Sequence, residues 1–130
     1  MVEDNPADAG LVRRALEQHK VRGEIVILSD GETAIEFMQS LDTEPVDPPD
    51  LIIVDLSLPR RSGREVLENL RLTQKCRLAR VIVLSSSDAE QDQADAARLG
   101  ADRFIRKPSG LDEFIALGAI FKEMLGASAK

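Results

Sequence analysis

An α/β fold with a parallel sheet and helices on both faces is what this chain predicts, on three observations. Short apolar runs alternate with amphipathic stretches of helical spacing from one end to the other. The runs Leu51-Ile52-Ile53-Val54 and Val81-Ile82-Val83-Leu84 are continuous, as strands buried on both faces require. At 130 residues the chain is expected to be one domain, 1–130, able to bury about two thirds of its extended surface without disulfides or metals as props. Strand followed by helix to the end specifies right-handed crossovers.

The first strand is only a stub, Met1-Val2, before Glu3 and Asp4. Pro6 suits the first turn of a helix reaching about Lys20, with Leu11, Val12, Ala15 and Leu16 on one side and Arg13, Arg14 and Glu17 on the other. His19, the one histidine, falls at its end, where a cation meets the helix dipole favourably, and is not expected to be a ligand. Gly23 to Leu28 predicts a second strand and Glu32 to Leu41 a second helix. Three prolines and several acids between Asp42 and Asp50 predict a loop. After the Leu51 strand, a helix is expected from Gly63 to about Thr73, with Val66, Leu67 and Leu70 inward. The Val81 strand ends in Ser85-Ser86-Ser87-Asp88, where Asp88 can cap a loosely packed helix over Ala89 to Leu99. Gly100 ends that helix, Asp102 to Arg106 is the last strand, and a final helix spans Leu111 to Leu125.

Composition narrows the function classes. A net charge of −6 disfavours nucleic-acid binding, because phosphate contact needs a basic face. No apolar run reaches the roughly 18 residues of a membrane span and no signal-peptide pattern opens the chain, so a cytoplasmic protein is expected. Cys76 cannot form an internal disulfide; between Lys75 and Arg77 it reads as an exposed bystander.

The chemistry gathers at the carboxyl ends of the strands, where open parallel sheets place their ligands. Those ends carry Glu3 and Asp4, Asp55, Ser85 and Lys107. If the chain returns to the sheet centre for its third strand, all of them meet above the middle. Carboxylates a few Å apart repel one another, so the cluster calls for a hard divalent cation, and Mg²⁺ is the match for oxygen ligands. An ammonium, a hydroxyl and a metal aimed at one carboxylate form a receptacle for a phosphoryl group.

With these residues in place, the chain resembles the receiver domains of two-component response regulators, in particular stand-alone receivers that partner phytochrome-type and other sensor histidine kinases. The matching motifs are Val2-Glu3-Asp4-Asn5-Pro6-Ala7-Asp8, Asp55-Leu56-Ser57-Leu58-Pro59, Gly63-Arg64-Glu65-Val66-Leu67, Ser85-Ser86 and Lys107-Pro108. The resemblance implies a three-layer, doubly wound, five-stranded parallel sheet in the order 2-1-3-4-5. It implies that Asp55 accepts a phosphoryl group from a histidine kinase or phosphotransfer protein, with Lys107 and Ser85 assisting. Asp4, Asp55, the Ser57 carbonyl and, partly through water, Glu3 would hold Mg²⁺. Ser85 and Phe104 would be the switch hydroxyl and switch aromatic. It further implies a cis bond between Lys107 and Pro108.

Two rivals are weaker. A haloacid-dehalogenase-type phosphatase needs a second Asp two residues after the nucleophile, and that position is Ser57; an enzyme is therefore not expected. A receiver-like binding module that never takes phosphate would have no need of the complete acidic, hydroxyl and lysine set. An output domain after the last helix is not expected, so signalling by protein contact or onward transfer is. The final helix carries apolar residues Leu111, Phe114, Ile115, Leu117, Gly118, Phe121, Met124 and Leu125 over an arc of roughly 180°, wider than one sheet face uses, with Ile120 outside it. A symmetric homodimer with Ile120 near its axis is expected from that surplus.

Overall fold

The computed structural model describes residues 1–45, 47–58, 62–76, 78–87 and 89–128. The elements are α1 (Pro6–Gln18), α2 (Gly31–Thr43), β1 (Leu51–Val54), α3 (Gly63–Leu72), β2 (Arg80–Ser85), α4 (Glu90–Arg98), β3 (Arg103–Arg106), α5 (Leu111–Ala116) and α6 (Gly118–Ser128). Side chains start the helices where the sequence supplies oxygen acceptors. Asn5 Oδ1 accepts from the backbone N–H of Ala7 at 2.9 Å, ahead of Pro6. Asp30 Oδ1 accepts from Thr33 at 2.7 Å to open α2, and Ser62 Oγ accepts from Glu65 at 3.3 Å to open α3. The expected cap Asp88 lies outside the described residues; the Ser87 hydroxyl accepts from the backbone N–H of Ala89 at 3.2 Å.

β1, β2 and β3 pair in parallel, Val54 opposite Val83 and Val83 opposite Phe104. Val2 extends this sheet by single parallel bridges, to Val54 on one side and to Leu28 on the other. In chain order the five positions therefore run 2-1-3-4-5, as expected. The expected strand from Gly23 to Leu28 is represented by its last residue, which bridges Val2. Beneath that short pairing lies a cavity of about 670 Å³ bordered by Met1, Val26, Leu51 and Ile53 among others.

Side chains alternate across the sheet into two cores. Ile52, Val54, Val81 and Val83 face α2 and α3, with Met38, Leu67 and Leu70 among the packed residues. Ile53, Ile82 and Leu84 face the other way, onto Val12 and Leu16 of α1, Phe114 of α5 and Phe121 of α6. The three layers follow from that alternation. α4 buries Ala96 alone, as its small side chains predict. Instead, Arg64 of α3 pairs with Asp95 at 3.0 Å and with Asp92, tying α4 by charge.

Three expectations are corrected. The final helix is two, broken at Leu117, and Ile120, expected outside, packs partly buried against the second core. The break lets Gly118 approach α1, where an added Cβ would stand 2.4 Å from the Ala15 carbonyl oxygen and 2.3 Å from the His19 ring. Cys76 is buried, not exposed. Asp42 accepts from the backbone N–H groups of Gln74 and Lys75, both at 3.0 Å, and this turn carries Cys76 inward while Lys75 reaches out to the Glu44 carbonyl. The strand at Asp102 begins one residue later, and the Asp102 carboxylate instead accepts from Val81 N–H at 2.8 Å.

Candidate functional site

Backbone pairing, not side-chain attraction, brings the site residues together. Val2 N–H donates to the Ile53 carbonyl at 2.7 Å and Asp55 N–H to the Val2 carbonyl at 3.1 Å, so Glu3 and Asp55 leave the sheet side by side. One step across, Lys107 N–H donates to the Ser85 carbonyl at 2.7 Å, which sets the lysine at the same edge. Gly63 fixes the other rim of Asp55. Its N–H donates to the Leu56 carbonyl at 3.1 Å, and an added Cβ would stand 2.2 Å from the Asp55 carbonyl oxygen.

Asp55 and Glu3 are buried, while Asp4 is exposed. Lys107 Nζ lies 2.8 Å from Glu3 Oε1, 2.8 Å from Asp8 Oδ2 and 2.9 Å from Asp55 Oδ2. The second Asp55 oxygen accepts from Ser57 N–H at 2.9 Å. Three carboxylates share one ammonium, so the cluster is short of positive charge. Burial pushes the Glu3 carboxyl up to about 7, against the opposing pull of its bonds to Lys107 and to the Asn5 N–H. Burial works against the Lys107 ammonium too, but its bonds to Asp55, Asp8 and Glu3 prevail and hold it above the ordinary lysine value.

Glu3, Asp4 and Asp55 each offer a carboxylate oxygen within 4.8 Å of the others. An all-oxygen anionic donor set with surplus negative charge fits a hard divalent cation. Ser57 stands at the rim, exposed, next to Asp55. Ser85 is fully buried at the end of β2, its hydroxyl accepting from Ser87 N–H at 3.2 Å. Phe104 is half-buried on β3 opposite Val83, on the α2–α3 side of the sheet. The bond between Lys107 and Pro108 is trans, correcting the expected cis bond. The trans backbone already delivers Nζ to Asp55, and trans is the intrinsically preferred isomer.

Asp8 is the residue that sequence reasoning passed over. It stands in a matching motif without an assigned role, and its one signal was spacing. It falls four residues after Asp4, in the first turn of a helix that starts at the cleft.

The model of the response regulator receiver domain matches residues 1–118. Response regulator Rcp1 of Synechocystis sp. is 32% identical over 118 residues, covering 90% of this chain and 80% of that protein. The crystal structure of the phosphorylated cyanobacterial phytochrome response regulator RcpA superposes with a TM-score of 0.85 at 32% identity, over 99% of this chain and 93% of that one. The Mn²⁺-bound form of Rcp1 gives 0.77 at 30% identity, over 98% and 88%. With the sheet order, the acidic cleft and the lysine contact already in hand, the match over nearly the whole chain decides the family: this chain belongs to the response regulator receiver domains of two-component signalling.

Proposed function

We propose that Asp55 is the phosphoacceptor of this receiver and that its phosphoryl donor is a phosphohistidine on a sensor histidine kinase, of the phytochrome type, or on a phosphotransfer protein. The observation that carries this is the buried Asp55 carboxylate with Oδ2 held 2.9 Å from Lys107 Nζ at the rim of the acidic cleft. A carboxylate oxygen of Asp55 attacks phosphorus, the P–N bond breaks with its electron pair staying on the imidazole, and an acyl phosphate forms. Lys107 offsets charge on the transferring group, as phosphoryl transfer needs alignment and neutralisation more than covalent assistance. The kinase assignment draws on RcpA and Rcp1, which are named as a phytochrome response regulator and a response regulator.

Glu3, Asp4, Asp55 and the Ser57 carbonyl would hold Mg²⁺, which when bound supplies neutralising charge to the phosphoryl oxygens. The Ser85 hydroxyl, which accepts from Ser87 N–H and keeps its own O–H to donate, would meet a phosphoryl oxygen, and Phe104 would be the ring that moves with it. The chain works as a signalling module through these steps. Pairing with a second copy through the last-helix region remains part of the reading, with half-exposed Leu111 as its apolar contact now that Ile120 is taken inward.

Labelling tests the assignment. With Mg²⁺ and a phosphorylated histidine kinase, the wild type should take up acid-stable, base-labile acyl phosphate and Asp55→Asn should take none. Asp4→Asn should need more Mg²⁺ to reach half-maximal labelling. Label retained in Asp55→Asn would remove Asp55 from the reaction.

A further inference from the structure

Three carboxylates crowd the Lys107 ammonium. The ammonium donates to Asp8 Oδ2 and Asp55 Oδ2, and Glu3 Oε1 stands 2.8 Å away as an ion pair that is not a hydrogen bond. A phosphoryl group arriving on Asp55 competes with these carboxylates for the same ammonium, and one of them has to yield room. The three are unequal. The Glu3 side chain is 1% exposed and that of Asp55 7%, so neither can exchange its partner for bulk water. The Asp8 side chain is 21% exposed and stands on the first turn of α1, where water can replace the lysine. A carboxylate on the first turn also interacts favourably with the helix dipole.

Resting on the proposed phosphoacceptor role of Asp55, we propose that Asp8 is a positioning residue that holds the Lys107 ammonium toward α1 and competes with the incoming phosphoryl group for it, setting how readily the site is phosphorylated. Asp8 touches neither the phosphoryl group nor a metal; it acts through the lysine. Neutralising it leaves Lys107 with a free N–H directed at the cleft, and the transferring group then meets its donor without first displacing a carboxylate.

The test uses the full chain with Mg²⁺ and ³²P-labelled acetyl phosphate, a donor that removes any kinase docking effect. Asp8→Asn should raise the initial labelling rate roughly three- to tenfold, the range expected for releasing one partly solvated charged hydrogen bond. Asp8→Glu, which keeps the charge, should restore the slow rate at least in part, and Asp8→Ser gives the same reading as Asn if the amide perturbs folding. In a Lys107→Met background the Asp8→Asn acceleration should disappear. That arm is decisive, because a general loss of negative charge near the cleft would speed an anionic donor with or without the lysine. An unchanged or slower rate in Asp8→Asn, or an acceleration that persists without Lys107, overturns the inference while wild-type labelling leaves the role of Asp55 standing. Absence of label in the wild type overturns both.

Discussion

Glu3 is the residue in which the cost of this cleft is most exposed to measurement. Its carboxyl is pushed up to about 7 from an ordinary 4.5 by burial, and the Asp55 charge adds to that. Between those values the folded chain holds a proton that the unfolded chain releases. The stability it contributes is complete below about 4.5 and is lost as pH rises to about 7. Without divalent cations, the stability of the wild type relative to Glu3→Gln should therefore fall as pH rises through this window, by up to about 1.4 kcal/mol per unit, since one proton is involved. Urea midpoints taken in chelator between pH 5 and pH 8 give this difference, and a constant difference would place the Glu3 titration elsewhere. Comparing two chains cancels Asp42 and Asp95, whose carboxyls are held low by the N–H groups of Lys75 and Gln74 and by Arg64 respectively.

Elements reach the site through two close approaches. Gly63 starts α3 against the carbonyl of Asp55, where a methyl group would meet backbone rather than a side chain able to swing away. Gly63→Ala should thus destabilise the fold by about 1–3 kcal/mol and also slow labelling of Asp55, because relief of the clash moves the loop that carries the carboxylate. Equilibrium unfolding and the labelling rate check the two halves separately; a neutral variant would mean the loop yields freely. Through the next residue, Arg64, α3 is tied to Asp92 and Asp95 of α4, and Asp92 in turn accepts from the Ser87 hydroxyl at 2.5 Å, two residues past Ser85. α4 buries one alanine, so these polar ties rather than a core set its position.

For the whole molecule, the apolar surface left over decides association. The apolar arc of the last helix is mostly spent: Phe114, Ile115, Leu117 and Phe121 are buried, and Ile120 is partly so. Leu111 remains, 50% exposed at the start of α5. Light scattering at tens of micromolar should show twice the 14.3 kDa chain mass, and Leu111→Lys should return it to one chain. A wild type that scatters as one chain would end the homodimer reading.

The sheet order came only with the family's motifs, while the alternation of continuous apolar runs with amphipathic stretches by itself determined the layers and set Glu3, Asp4, Asp55, Ser85 and Lys107 at the ends of strands. These are consequences of local periodicity and of where strands end, both of which are written residue by residue. Only tertiary structure decided the rest, because it depends on distances between parts remote in the chain. The run from Gly23 to Leu28 has strand composition but forms a single bridge, since ladder pairing depends on a neighbour remote in the chain. Cys76 has charged neighbours yet is buried, because Asp42, more than thirty residues earlier, folds the turn inward. The Lys107 bond to Pro108 is trans, and Ile120 turns inward after a break at Leu117 that periodicity does not register. Asp8 meets Lys107 across a sequence separation of 99 residues; its spacing after Asp4 points it to the cleft, but only the fold brings the lysine there.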